Sequence, residues 1–106
     1  MAGGTSSAVV WLNGREALVA RRGDRGKPVV ATIRRGIGGA DAYLLRIVRE
    51  IGDRERVMIL GPGSARLALE REYVSLYRRP ERLVDVEPAG AVTSDDLIER
   101  LSTLDT

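Results

Sequence analysis

The apolar positions of the chain follow two periods, and the switches between them mark out its elements. Ala8-Val9-Val10-Trp11-Leu12 is a continuous β-favouring run. Asn13-Gly14 behind it is the residue pair that a two-residue type I′ hairpin turn requires, so residues 15–21 are predicted to return as the paired strand. Arg22-Gly23-Asp24-Arg25-Gly26-Lys27 is polar and glycine-punctuated, and residues 28–35 resume with β-branched side chains as a third strand. The chain therefore opens as a three-stranded meander.

After the break at Gly36-Ile37-Gly38-Gly39 the period changes to that of a helix. Asp41 is placed to cap residues up to Ile51, and Leu44, Ile47, Val48 and Ile51 share one face while Arg46, Arg49 and Glu50 take the other. Gly52 follows as a C-terminal stop. Val57-Met58-Ile59-Leu60 is apolar throughout, the pattern of a strand covered on both sides, and is predicted to lie in the middle of the sheet. Gly61-Pro62-Gly63-Ser64 turns the chain, with Ser64 as cap for a helix whose Leu69, Tyr73, Leu76 and Tyr77 form one stripe. Pro80 ends that helix, residues 83–87 form a further strand, and Pro88-Ala89-Gly90 turns again. Thr93 or Ser94 starts a last helix with Asp95 and Asp96 near the positive end of its dipole and Leu97, Leu101 and Leu104 on its apolar face. The order β-β-β-α-β-α-β-α predicts an α/β fold, a mixed β-sheet with flanking helices, because parallel strands need crossovers that return over a face.

Composition narrows the chemistry more than the fold. The 106 residues fit one core, so residues 8–106 are expected to form a single α/β domain behind a flexible N-terminus at 1–7. There is no cysteine and no histidine, which removes disulfides, thiolate nucleophiles, the usual general base near neutral pH and the commonest metal ligand. No cofactor is implied, and most enzyme templates fail, leaving only carboxylate, hydroxyl or arginine chemistry, so the chain is expected not to be an enzyme. The apolar runs are far shorter than the ~20 residues that cross a bilayer, and the N-terminus has no secretory pattern, so a cytoplasmic protein with no membrane partner is expected.

Seventeen basic residues, of which only Lys27 is a lysine, leave a net charge of just +2, so their distribution matters more than their sum. Arg21, Arg22, Arg25 and Lys27 gather around the second loop, and Arg34 and Arg35 end the next strand. If the loop and the strand end share a side, these six residues are placed to contact RNA or an acidic partner. The four aromatics, Trp11, Tyr43, Tyr73 and Tyr77, all sit in apolar patterns and offer no stacking platform for bases. A second candidate is Leu60-Gly61-Pro62-Gly63-Ser64-Ala65-Arg66, where Gly61, Gly63, Ser64 and Arg66 at a helix start would cradle an anion. Its spacing is neither that of a P-loop nor that of a dinucleotide fingerprint, and a plain capped turn needs no ligand. Asp95, Asp96 and Glu99 are explained by the helix dipole rather than by a metal. Self-association through an edge strand of the meander, giving a homo-oligomer, is a further reading.

The runs Ala8-Val9-Val10-Trp11-Leu12-Asn13-Gly14-Arg15-Glu16-Ala17, Met58-Ile59-Leu60-Gly61-Pro62-Gly63, Val84-Asp85-Val86-Glu87 and Ser94-Asp95-Asp96-Leu97 together carry a family resemblance. The chain resembles the small bacterial proteins related to the third domain of the archaeal and eukaryotic peptide-release factor and of Pelota. The resemblance implies a three-layer-like α/β sandwich of the ribosomal-protein type. It also implies a non-catalytic adaptor whose partners are the ribosome, RNA or a translation-associated protein. It does not extend to peptide release, because Gly38-Gly39 is followed by Ala40 and the sequence has no glutamine. The asparagine-glutamate-lysine signature of kink-turn binders is absent as well, since Asn13 lies in a hairpin and Lys27 in a loop.

Overall fold

A computed structural model describes residues 7–87, 90 and 92–104. The elements follow the predicted order: β1 (Ser7–Leu12), β2 (Glu16–Arg22), β3 (Pro28–Arg34), α1 (Ala40–Ile51), β4 (Arg56–Leu60), α2 (Gly63–Tyr77), β5 (Leu83–Glu87) and α3 (Ser94–Leu104). They build one mixed sheet in the order β3-β2-β1-β4-β5. β2 is antiparallel to both β1 and β3, whereas β1, β4 and β5 are parallel. Two antiparallel pairings in succession make β3 run the same way as β1, so β2 alone opposes the other four strands.

The middle strand is β1, not β4. Its six residues are all buried, and alternation sends Ala8, Val10 and Leu12 to a core shared with α1 and α2. Val9 and Trp11 go to the opposite core, shared with α3. Burying a side chain of this size contributes about 1.5–3 kcal/mol, and no other strand is covered along its whole length. β4 lies one place out, between β1 and β5. Its Ile59 is fully buried, but Met58 is only half-buried because α3 lies mainly over β1 and β2 and reaches β4 only along one flank, where Arg100 Nη1 lies 3.9 Å from Met58 Sδ. β1 also begins one residue before the predicted start, with Ser7 buried in the strand.

Several ends differ from the sequence expectation for local reasons. The β1–β2 connection is a longer Asx-stabilised turn, not a two-residue type I′ turn. Leu12 and Ala17 are the last partners in the ladder, and the Asn13 Oδ1 atom accepts the amides of Arg15 at 2.8 Å and Glu16 at 2.9 Å. Neither residue 13 nor residue 14 takes the positive φ that a type I′ turn demands. Helix α1 starts one residue ahead of Asp41, with Gly39 at its N-cap, so Asp41 sits in the first turn and not at the cap. Pro62 likewise displaces Ser64 as the N-cap of α2. The α2 stripe holds at Leu69 and Tyr73, while Leu76 is 50% exposed because only one flank of that helix meets the sheet. At α3, Thr93 is the cap: its Oγ1 accepts the Asp96 amide at 3.1 Å, and Asp96 Oδ2 accepts the Thr93 amide at 3.0 Å. Hydrogen bonding of the exposed Asp96 carboxyl by the Thr93 amide, and then by the Thr93 hydroxyl, holds it below its ordinary pKa. The Pro88-Ala89 part of the predicted turn lies outside the described residues.

Gly52 closes α1 as expected, at φ 76° with its amide bonded to the Val48 carbonyl at 2.9 Å. The loop beyond it is pinned by the buried Tyr73, whose hydroxyl donates to the Gly52 carbonyl at 3.2 Å and accepts the Arg54 amide at 3.3 Å. Burial pushes the pKa of that hydroxyl up. Among the described glycines the tightest approach is at Gly61, where β4 ends against β1. At φ 142°, a Cβ on Gly61 would sit 2.1 Å from the Leu12 carbonyl oxygen. Gly61→Ala is expected to lower the unfolding free energy by about 3 kcal/mol, read as a fall in the urea midpoint with unchanged slope.

Candidate functional site

Strand direction decides where the chemistry collects. β1, β3, β4 and β5 all end at one edge of the sheet, and α1 and α2 both run back from that edge along the same face. Their N-termini therefore lie side by side there. Between them opens a cleft of about 480 Å³, with the β1–β2 turn at Asn13 and Gly14 on one wall and Pro62, Gly63 and Ser64 on another. Arg35, just past the end of β3, adds a cation, and Tyr43 supplies the floor.

The charge in this cleft is of one sign. Neither helix has a side-chain hydrogen bond at its N-cap, so the first-turn amides of both take no acceptor from Gly39 or Pro62. Arg35 reaches the Gly14 carbonyl with Nη1 at 3.5 Å, and its own carbonyl accepts Arg46 Nη2 at 2.7 Å. The Tyr43 hydroxyl donates to the Asn13 carbonyl at 3.0 Å. Burial, then the neighbouring Glu16 carboxylate, push the Tyr43 pKa up to about 12, while Arg46 and Arg35 pull the other way. Two helix dipoles and a guanidinium make the cleft suited to an anion.

The two sets of residues picked out in the sequence are redistributed by the fold. Gly63 and Ser64 line the cleft, Gly61 is packed beneath it against β1, and Arg66 lies further along α2 outside the lining. The arginine set is divided. Arg22 is the ladder partner of Pro28 and Arg34 that of Glu16, so the two groups sit at opposite ends of the β2–β3 ribbon, roughly 20 Å apart at the strand rise. Arg22, Arg25 and Lys27 surround the β2–β3 turn, with Arg22 Nη1 on the Gly26 carbonyl at 3.3 Å and Arg25 and Lys27 exposed. Arg21 is tied to Glu50 of α1 at 3.0 Å and fastens the sheet to the helix. Arg35 leaves that set altogether and joins Gly63 and Ser64. Asn13 and Tyr43 belong to the cleft without having been singled out. Tyr43 stands one position before the apolar stripe of α1, and its hydroxyl finds a partner only when the turn is folded beside it.

Among the described residues, no cluster of three or more acidic or other metal-ligating side chains has a geometry that would hold a metal ion. No described helix is long and apolar enough to cross a membrane.

The fold defined by this sheet and its helices is Pelota-like. The crystal structure of Pelota from Thermoplasma acidophilum matches 93% of this chain with a TM-score of 0.64 and 22% sequence identity, over 32% of its own length. That of Archaeoglobus fulgidus Pelota, described as revealing inter-domain structural plasticity, matches 92% with a TM-score of 0.66 and 16% identity, over 31% of its length. The chain thus spans about a third of the length of either protein. No protein-family model matches the sequence, and no curated protein is similar to it in sequence.

Tyr43 provides a direct check on the cleft. Its hydroxyl is protonated to a higher pH in the folded chain than in the unfolded one, so stability is expected to fall as pH rises from the ordinary value of 10.0 towards 12. Tyr43→Phe should flatten that decline and cost about 1 kcal/mol at neutral pH through the loss of the bond to Asn13, both read from urea unfolding across a pH series.

Proposed function

We propose that this chain is a non-catalytic binding domain that works with the translation apparatus in the cytoplasm, as the adaptor domains of the release-factor and Pelota type do. The observation that carries this reading is the Pelota-like fold over nearly the whole chain. It is supported by a sequence without histidine or cysteine, which leaves a surface of arginines for contact and little for catalysis. Arg22, Arg25 and Lys27 at the β2–β3 turn are the contact residues on this reading, with Arg21 behind them. Co-sedimentation with ribosomes is expected to weaken steeply with salt. Arg22→Glu with Arg25→Glu should lower the slope of log affinity against log salt by about 2, because each phosphate contact contributes close to one unit. Binding that ignores salt, or none at all, would remove the proposal.

The cleft favours a second reading, in which the domain holds a small phosphorylated ligand between the starts of α1 and α2. Arg35, Gly63 and Ser64, brought together from distant parts of the sequence, support it. A ligand at a hundred times its Kd adds about 2.7 kcal/mol to stability, on the order of 10 °C in Tm for a chain of this size. A nucleotide panel should contain one such ligand, and Arg35→Ala should abolish its effect. A flat response to the panel would eliminate this reading.

A further inference from the structure

The border of the sheet at β3 is open. β3 is the last strand in the order and, among the described residues, pairs only with β2. Which of its backbone groups face outward follows from the ladder. Gly23 donates to the Lys27 carbonyl at 2.7 Å and Arg35 to the Arg15 carbonyl at 2.9 Å, both within the register that pairs Val29 with Arg21 and Ile33 with Ala17. Odd-numbered residues of β3 therefore bond to β2. The N–H groups of Val30, Thr32 and Arg34 point away from the sheet, and Pro28, in the same phase, has none to offer. That outward row is three donors long and begins at a proline.

A groove of about 390 Å³ runs beside this row, between Thr32, Ile33 and Arg34 of β3 and Arg46, Arg49 and Glu50 of α1. Ile33, partly buried, gives it an apolar base. Its charge is one-sided, because Glu50, its only carboxylate, is paired with Arg21 at 3.0 Å, while Arg46 and Arg49 of α1 are exposed on its wall; alternation along β3 sends the Arg34 side chain, like that of Val30, to the opposite face. Unpaired strand donors call for a peptide backbone, and two guanidinium groups on one face call for carboxylates. A nucleic acid satisfies the second requirement and not the first. A second copy of this chain fails the second, since pairing two β3 edges about their centres would bring the α1 arginines towards their own copies.

We propose that the open edge of β3 is a docking site for an acidic, extended segment of a partner protein, which joins the sheet as a sixth strand and sets its carboxylates, on the α1 face, against Arg46 and Arg49. Main-chain bonds to Val30, Thr32 and Arg34 hold the segment, and the arginines select its charge. This does not depend on whether the partner belongs to the translation apparatus, nor on what occupies the cleft at the strand ends.

The test uses the full chain and a soluble dodecapeptide of alternating glutamate and valine, followed by amide exchange in the NMR spectrum. Saturating peptide is expected to slow exchange at Val30, Thr32 and Arg34 by about ten-fold or more, while Ala31 and Ile33, already bonded to β2, change little. Arg46→Glu with Arg49→Glu should weaken binding by about ten-fold, and Arg71→Glu on the exposed flank of α2 should leave it unchanged. The proposal fails if the outward amides show no protection with peptide, or if an alternating lysine and valine peptide protects them equally. It also fails if single-stranded RNA binds these arginines in place of the acidic peptide, or if the three amides are already protected in a dimer of the chain alone.

Discussion

β1 is the constraint from which the rest of the architecture follows. A strand that reads Ser-Ala-Val-Val-Trp-Leu has no polar side chain to turn to water beyond its first residue, so both of its faces need a cover and both of its edges a partner. The hairpin supplies one edge through β2, and the crossover through α1 supplies the other through β4. Covering both faces is what divides the helices, two on one side and α3 on the other. Gly61 belongs to the same requirement. The end of β4 comes so near the Leu12 carbonyl that no side chain fits between them.

The distribution of charge is a consequence of strand direction. Because four strands point one way, the starts of α1 and α2 gather at one edge, and with them the amides, Arg35 and the Asn13 turn. Because β2 alone points the other way, the β2–β3 turn and its basic residues are carried to the opposite end. A modest net charge of +2 is thereby resolved into separate regions of distinct character. One is concave and framed by helix starts. Another is a loop tip. A third lies along the border strand under the arginines of α1.

The order of elements was legible because it rests on local patterns: β-branched runs, a helical period over residues 40–51, and glycine or proline at nearly every break. The helix stop at Gly52 and the buried positions Ile47, Val48, Leu97 and Leu101 were readable for the same reason. What escaped depended on neighbours distant in sequence. Val57-Met58-Ile59-Leu60 and Ala8-Val9-Val10-Trp11-Leu12 are equally apolar, and only the pairing decides that the second is central. Capping went astray where Gly39 and Pro62 start their helices ahead of Asp41 and Ser64, the residues whose side chains could have accepted a first-turn amide. Of the candidate site, Gly63 and Ser64 were visible as a turn. That Arg35 and Tyr43 would meet them required knowing which edge each element ends on.

The parallel contact between β1 and β4 also governs the order in which the sheet can be completed. The turns of the meander close loops of a few residues, whereas bringing Arg56 back beside Ser7 closes one of roughly 50, at an entropic cost greater by about 2 kcal/mol. Until that loop shuts, the strand destined for the centre has one unprotected flank, where its backbone groups are bonded only to water. The safest place in the finished molecule is thus the most vulnerable one in the half-assembled chain.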